Sequence, residues 1–144
     1  MTFDFRKLQQ RLESKPPGPL YLLVGEESFL ISEAVALLKD RAIDESLRDF
    51  NCDVFDAGET SPAQVKDVCE MLPMMSPRRL VIYRGVDALK DKEWEDLFIL
   101  FDNPVDTTTF VLTAEELDKR KKFYKKISES AVVVELKRPF ENQI

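Results

Sequence analysis

The sequence contains no histidine. Within this chain that excludes every His-dependent nucleophilic triad, imidazole general base and His-ligated metal site. Cysteine is nearly as scarce. Cys52 and Cys69 stand alone, too few for a disulfide framework or a thiolate metal cluster. Both lie in apolar-patterned segments, where two buried, reduced thiols are expected. No stretch approaches the ~20 apolar residues of a membrane span. The opening Met1-Thr2-Phe3-Asp4-Phe5 lacks the basic start and apolar centre of a signal peptide. A cytoplasmic, reducing setting is therefore expected, with no metal. Positive charge is in deficit, 21 Lys and Arg against 27 Asp and Glu, giving a net charge of -6. That disfavours nucleic-acid binding over the whole surface.

What is present suits one globular domain, residues 1–144: 44% of residues are hydrophobic and 33% charged. There is no internal repeat. The closing Phe140–Ile144 segment carries no targeting signal and stops abruptly, as expected where a longer chain has been cut.

Apolar periodicity sets out the elements. Phe5, Leu8 and Leu12 share one helical stripe. Pro16-Pro17-Gly18-Pro19 ends that helix. Leu20 to Val24 is a continuous apolar run, the pattern of a strand buried on both faces. After Gly25-Glu26-Glu27-Ser28, with Ser28 or Glu27 as cap, residues Ile31, Val35, Leu38 and Ala42 form a second stripe. Cys52 to Phe55 reads as a strand. Ser61-Pro62-Ala63-Gln64 offers an N-cap, a first-turn proline and a capping-box glutamine. Val65, Val68, Cys69 and Leu72 give the helix that follows its inner face, and Pro73 stops it. Strands at Leu80–Tyr83, Phe110–Leu112 and Val132–Val134 follow. They alternate with helices over Trp94–Phe101 and Leu117–Ile127. The expectation is an α/β fold with a five-stranded parallel sheet flanked by helices on both faces. In such sheets ligands and partners meet the loops at the carboxyl ends of the strands.

Four constellations bear on function. The Gly25-Glu26-Glu27-Ser28 loop stands where a nucleotide-binding α/β domain cradles phosphate. It has one glycine, no lysine and two carboxylates that repel phosphate. A tight turn with acids near a helix N-terminus accounts for it better. A phospho-receiver reading takes Glu26 and Glu27 as metal ligands, then Thr113 and Lys137-Arg138-Pro139. Its acceptor position fails, because Arg84 follows strand three and Asp87 comes late. The basic run Lys119, Arg120, Lys121, Lys122, Lys125 and Lys126 is either a solvated helix face or a docking surface for an acidic partner or phosphate. Met74 and Met75, between Pro73 and Pro77, either fill the core at a helix end or stand on a stiff loop for insertion into a partner.

The order of these motifs resembles the delta-subunit family of bacterial DNA polymerase III. Pro19–Leu30 resembles its first strand and degenerate phosphate loop. Phe50–Asp56 resembles its second strand, Leu72–Val81 its helix exit into strand three, and Leu117–Lys126 its basic helix. The resemblance implies an AAA+ (RecA-like P-loop NTPase) fold that has lost its nucleotide site, at Gly25, Glu26, Glu27 and Ser28. It implies no cofactor and no catalysis by the chain itself, in a subunit of a nucleotidyltransferase holoenzyme. It also implies a clamp-loader module of DNA replication that binds and opens the ring-shaped sliding clamp. Met74 and Met75, with Leu72 beside them, are the implied clamp-binding residues, where family members often carry a Leu-Phe-type pair. Lys119, Arg120, Lys121 and Lys122 are implied contacts to a neighbouring loader subunit, or to DNA within the assembled loader. Lid and collar domains, through which the loader assembles, follow this domain in the family.

Overall fold

A computed structural model describes residues 2–137. In chain order the elements are β1 (Thr2–Phe3), α1 (Phe5–Ser14), β2 (Leu20–Val24), α2 (Ser28–Ala42), α3 (Arg48–Asn51) and β3 (Cys52–Asp56). There follow α4 (Pro62–Cys69), β4 (Arg79–Arg84), α5 (Asp91–Trp94), α6 (Phe98–Asp102), β5 (Thr108–Ala114), α7 (Lys122–Ser130) and β6 (Val132–Glu135). The strands form one sheet in the order β1-β6-β2-β5-β4-β3, and every neighbouring pair is parallel.

Side-chain alternation along the strands builds two cores. Leu20, Leu22, Val81, Tyr83, Phe110, Leu112 and Val133 face Val65 and Cys69 of α4, the Trp94–Phe101 segment, and Phe123 and Ile127 of α7. The indole of Trp94 stacks on Phe123 with ring centroids 4.2 Å apart. Tyr21, Leu23, Leu80, Ile82, Val111 and Val134 face Leu8 and Leu12 of α1 and Ala34 and Leu38 of α2. A sheet covered on both sides needs apolar residues at consecutive positions, as in Leu20-Tyr21-Leu22-Leu23.

The architecture is as expected, with one strand more. β1 adds Thr2 and Phe3 beside Val133 and Val134. Two residues carry no readable periodicity. The Trp94–Phe101 stripe is interrupted by a 3-10 turn at Glu95–Leu97, yet Trp94, Leu97 and Phe101 all reach the core.

Three local expectations are corrected. α4 ends at Cys69, and Leu72 lies beyond it, 77% exposed rather than on the inner face. α7 begins at Lys122, because Asp118 ties down the preceding turn. Its carboxylate accepts from the Arg120 N–H and guanidinium, each at 3.0 Å, a local bond that competes with helix. Cys69 is buried, but Cys52 is only half-buried on β3. Among the described residues no helix is long and apolar enough to cross a membrane.

Candidate functional site

Among the described residues, the chain between α4 and β4 carries the largest local group of outward apolar side chains. Leu72, Met74 and Met75 are 77%, 57% and 93% exposed, and Met71 is exposed too. The two methionines therefore do not fill the core. Their backbone is anchored from beneath. Asn51, at the end of α3, is fully buried. Its Oδ1 accepts from the Met74 N–H at 2.6 Å. Its Nδ2 donates to the Met74 carbonyl at 2.8 Å and to the Leu47 carbonyl at 3.0 Å. Arg79, buried at the start of β4, donates from Nη1 to Asp53 at 2.9 Å and from Nη2 to the Leu72 carbonyl at 3.4 Å. Met75 has φ 55°, the only non-glycine with positive φ among the described residues. Left-handed backbone costs a side-chain-bearing residue on the order of 1 kcal/mol or more.

Asn51, Arg79 and Met71 were not legible as parts of this loop. A single asparagine before a strand carries no spacing signal, and only the fold brings it 23 residues forward to Met74. Phe50, its exposed neighbour in the chain, is a more readable omission, because a large apolar residue that breaks the buried pattern is informative.

The backbone of the Gly25 loop is taken up by the sheet. The Gly25 N–H donates to the Ala114 carbonyl at 3.0 Å, and the Leu136 N–H donates to the Val24 carbonyl at 2.8 Å. The glycine amide is thus consumed in closing β2 against its neighbours. The open groove above it, about 850 Å³, is lined by Glu26, Glu27, Glu115, Glu116 and Glu135, together with Lys119 and Lys137. Ser28 is the exposed first residue of α2, and Glu27 is its N-cap. Five carboxylates against two lysines make a poor anion cradle.

The receiver arrangement fails on topology. Such sheets run 2-1-3-4-5, whereas here β5 separates β2 from β4. Arg84, in the acceptor position, binds Asp56 through two bonds of 2.8 and 3.0 Å and holds that carboxyl below its usual range. Asp87 lines a shallow depression with Glu115 and Arg120. Thr113 is buried, and its hydroxyl accepts from the Gly85 N–H at 3.4 Å. Lys137 lines the acidic groove, while Arg138 and Pro139 lie outside the described residues.

The basic run is not a single cationic helix face. Lys119, Arg120 and Lys121 occupy the turn before α7, and Lys122 opens the helix. Lys119 meets Glu135 at 2.7 Å, Arg120 meets Asp118 at 3.0 Å and Lys121 meets Asp91 at 2.9 Å. The Arg120 guanidinium holds the Asp118 carboxyl down at about 2. Lys126 meets Asp102 at 3.0 Å, and Lys122 and Lys126 both lie over the Phe98 ring. Intramolecular acids answer much of this charge, which favours the solvated-surface reading over a free anion-binding patch.

Comparison with known proteins agrees with the fold. The family described as "DNA polymerase III, delta subunit" matches residues 21–137. The chain is 34% identical over 147 residues to DNA polymerase III subunit delta of Bacillus subtilis, spanning 95% of this chain and 42% of that protein. The solved Bacillus subtilis DNA clamp loader delta protein superposes with a TM-score of 0.86 at 30% identity, covering 95% of this chain and 44% of that one. A gamma-subunit-related DNA polymerase III protein of Thermotoga maritima shares the fold, with a TM-score of 0.61 at 12% identity over 96% of this chain and 47% of that chain. The chain spans less than half the length of these relatives.

Proposed function

This chain belongs to the DNA polymerase III delta-subunit family, and from that premise we propose that it is the sliding-clamp-binding module of a clamp loader. The observation that carries the reading is the outward display of Leu72, Met74 and Met75 on a loop whose backbone is held by buried side chains. Thioether side chains adapt to an apolar pocket. Burying two of them contributes on the order of 3–6 kcal/mol before association costs. A loop already fixed between Pro73 and Pro77 loses little further entropy on docking.

In this reading the domain works by binding, holding one interface of the ring open while other loader subunits supply nucleotide chemistry. Two features support a role without ATP: the committed Gly25 amide and the acidic groove above it. Contacts to neighbouring subunits and to DNA belong to the assembled loader. The test is titration of the 144-residue chain with purified sliding clamp in a calorimeter. Saturable association with a Kd at or below roughly 10 µM, about -7 kcal/mol, is expected. Absence of heat at tenfold higher concentration overturns the reading.

A further inference from the structure

Three costly features converge beneath one exposed loop. Asn51 is fully buried and aims its amide at both polar groups of the Met74 backbone. Arg79 has a side chain only 5% exposed, and its Nε has no partner, although Nη1 holds Asp53 and Nη2 reaches the Leu72 carbonyl. Met75 keeps a left-handed backbone. An incompletely satisfied buried cation and a strained non-glycine residue both lower stability. They persist where the surroundings over-determine them, and such places concentrate at functional segments.

We propose that Asn51 and Arg79 are positioning residues that hold the 72–75 loop in a single conformation, Met75 outward, before any partner arrives. The proposal rests on the clamp-binding reading for its consequence but not for its geometry. Asn51 fixes the Met74 peptide from both sides, as a neighbouring strand would. Arg79 fixes the loop two residues earlier and is itself steadied by Asp53. With Leu72 and Met74 pinned, the intervening Pro73 has little freedom, and Met75 is presented by the chain's exit from that clamped peptide. A loop that samples many shapes binds with an affinity reduced by the fraction of time it spends in the competent one. Asn51 and Arg79 raise that fraction without touching the partner.

Two measurements test this, on the full 144-residue chain. The first is hydrogen exchange at the Met74 amide by NMR, in the absence of any partner. Protection of at least about tenfold over the unstructured rate is expected from a bond held in the native state. Exchange at the unstructured rate overturns the proposal whether or not the clamp binds. The second compares clamp association for the wild type, Asn51→Ala and Met74→Ala/Met75→Ala, well below their melting temperatures. Asn51→Ala is expected to abolish Met74 protection while the Val111 amide in the sheet stays protected. It is also expected to weaken clamp binding about tenfold through a slower association rate, as when the competent fraction of the loop falls to about a tenth. Full affinity and an unchanged association rate in Asn51→Ala overturn the positioning role, even with the methionine variant defective. If Asn51→Ala does not fold, Arg79→Lys decides on clamp affinity and association rate, because it keeps a charge beside Asp53 and withdraws the bond to Leu72; full affinity and an unchanged rate in that variant overturn the positioning role. A wild type that never binds clamp, with Met74 still protected, refutes the clamp reading and upholds the pre-set loop.

Discussion

A Cβ atom placed on Gly25 would stand 2.5 Å from the carbonyl oxygen of Leu136. The obstacle is backbone, which cannot swing aside as a side chain does. Gly25 is thus required by the close passage of the chain leaving β6, at the point where β2 ends. Gly25→Ala is expected to lower stability by on the order of 2–3 kcal/mol, a fall of several degrees in Tm. Gly58 has nothing within 4 Å of the same position, and Gly58→Ala is expected to melt within a degree or two of wild type. Thermal unfolding followed by circular dichroism distinguishes the two.

Much of this fold was readable because both sheet faces are covered. Leu20–Val24 and Leu80–Tyr83 are solidly apolar, and helical stripes such as Ile31, Val35 and Leu38 separate the strands. The Ser61–Gln64 capping box formed as its residues suggest. The failures are local contests that spacing does not see. Leu72 continues the stripe of Val65 and Cys69, yet the helix stops at Cys69 and leaves it outside. Asp118 wins the Arg120 amide and delays α7. The acids that answer the basic run lie at Asp91, Asp102 and Glu135, remote in sequence and close only after folding. The methionine pair was readable as a choice between core and surface. Asn51, which fixes its backbone, was not, because long-range partners of one buried amide leave no pattern in the chain.

Acid should act on the depressed carboxyls. Asp118 is held at about 2 by the Arg120 side chain, against an ordinary value of 3.8, and Asp56 is lowered by Arg84. The unfolded chain binds protons at these groups before the folded chain does. Their contribution is therefore complete above about pH 5 and is lost as the pH falls through the ordinary carboxylate range toward 2. Both sites are solvent-exposed, so the effect on Tm is small. The sharper measurement is a carboxyl-carbon NMR titration. Asp118 is expected to titrate near 2 in the wild type and to move up toward the ordinary carboxylate range in Arg120→Ala.

The paired cations should disappoint as a DNA site. Lys119, Arg120 and Lys121 each face an acid within 3.0 Å, and the chain carries a net charge of -6. Fluorescence anisotropy with duplex DNA at physiological salt is expected to show weak or no binding. Any residue of binding should fall steeply as salt rises and vanish with Lys119, Arg120, Lys121 and Lys122 replaced by alanine. Single replacements at Lys119 or Lys121 should leave Tm within a degree or two of wild type, as exposed pairs do. Tight, salt-insensitive binding would show that these residues contribute more than surface pairing.

The methionines separate binding from folding. Met75 is 93% exposed and Met74 57%, so truncating both opens no cavity of the kind that destabilises a core. Met74→Ala/Met75→Ala is expected to weaken clamp binding by at least ~2 kcal/mol, roughly thirtyfold, with Tm unchanged within a degree or two. Met75→Gly adds a second, opposite contrast. At φ 55° glycine relieves left-handed strain that alanine keeps, so Met75→Gly should be at least as stable as Met75→Ala, although glycine gives the unfolded chain more freedom. Both single variants should bind clamp more weakly than wild type, since each lacks the same side chain. A double variant that melts far lower would place the pair in the core. One that melts normally and binds normally would move the clamp contact elsewhere on this surface, with exposed Leu72 and Phe50 the next positions to truncate.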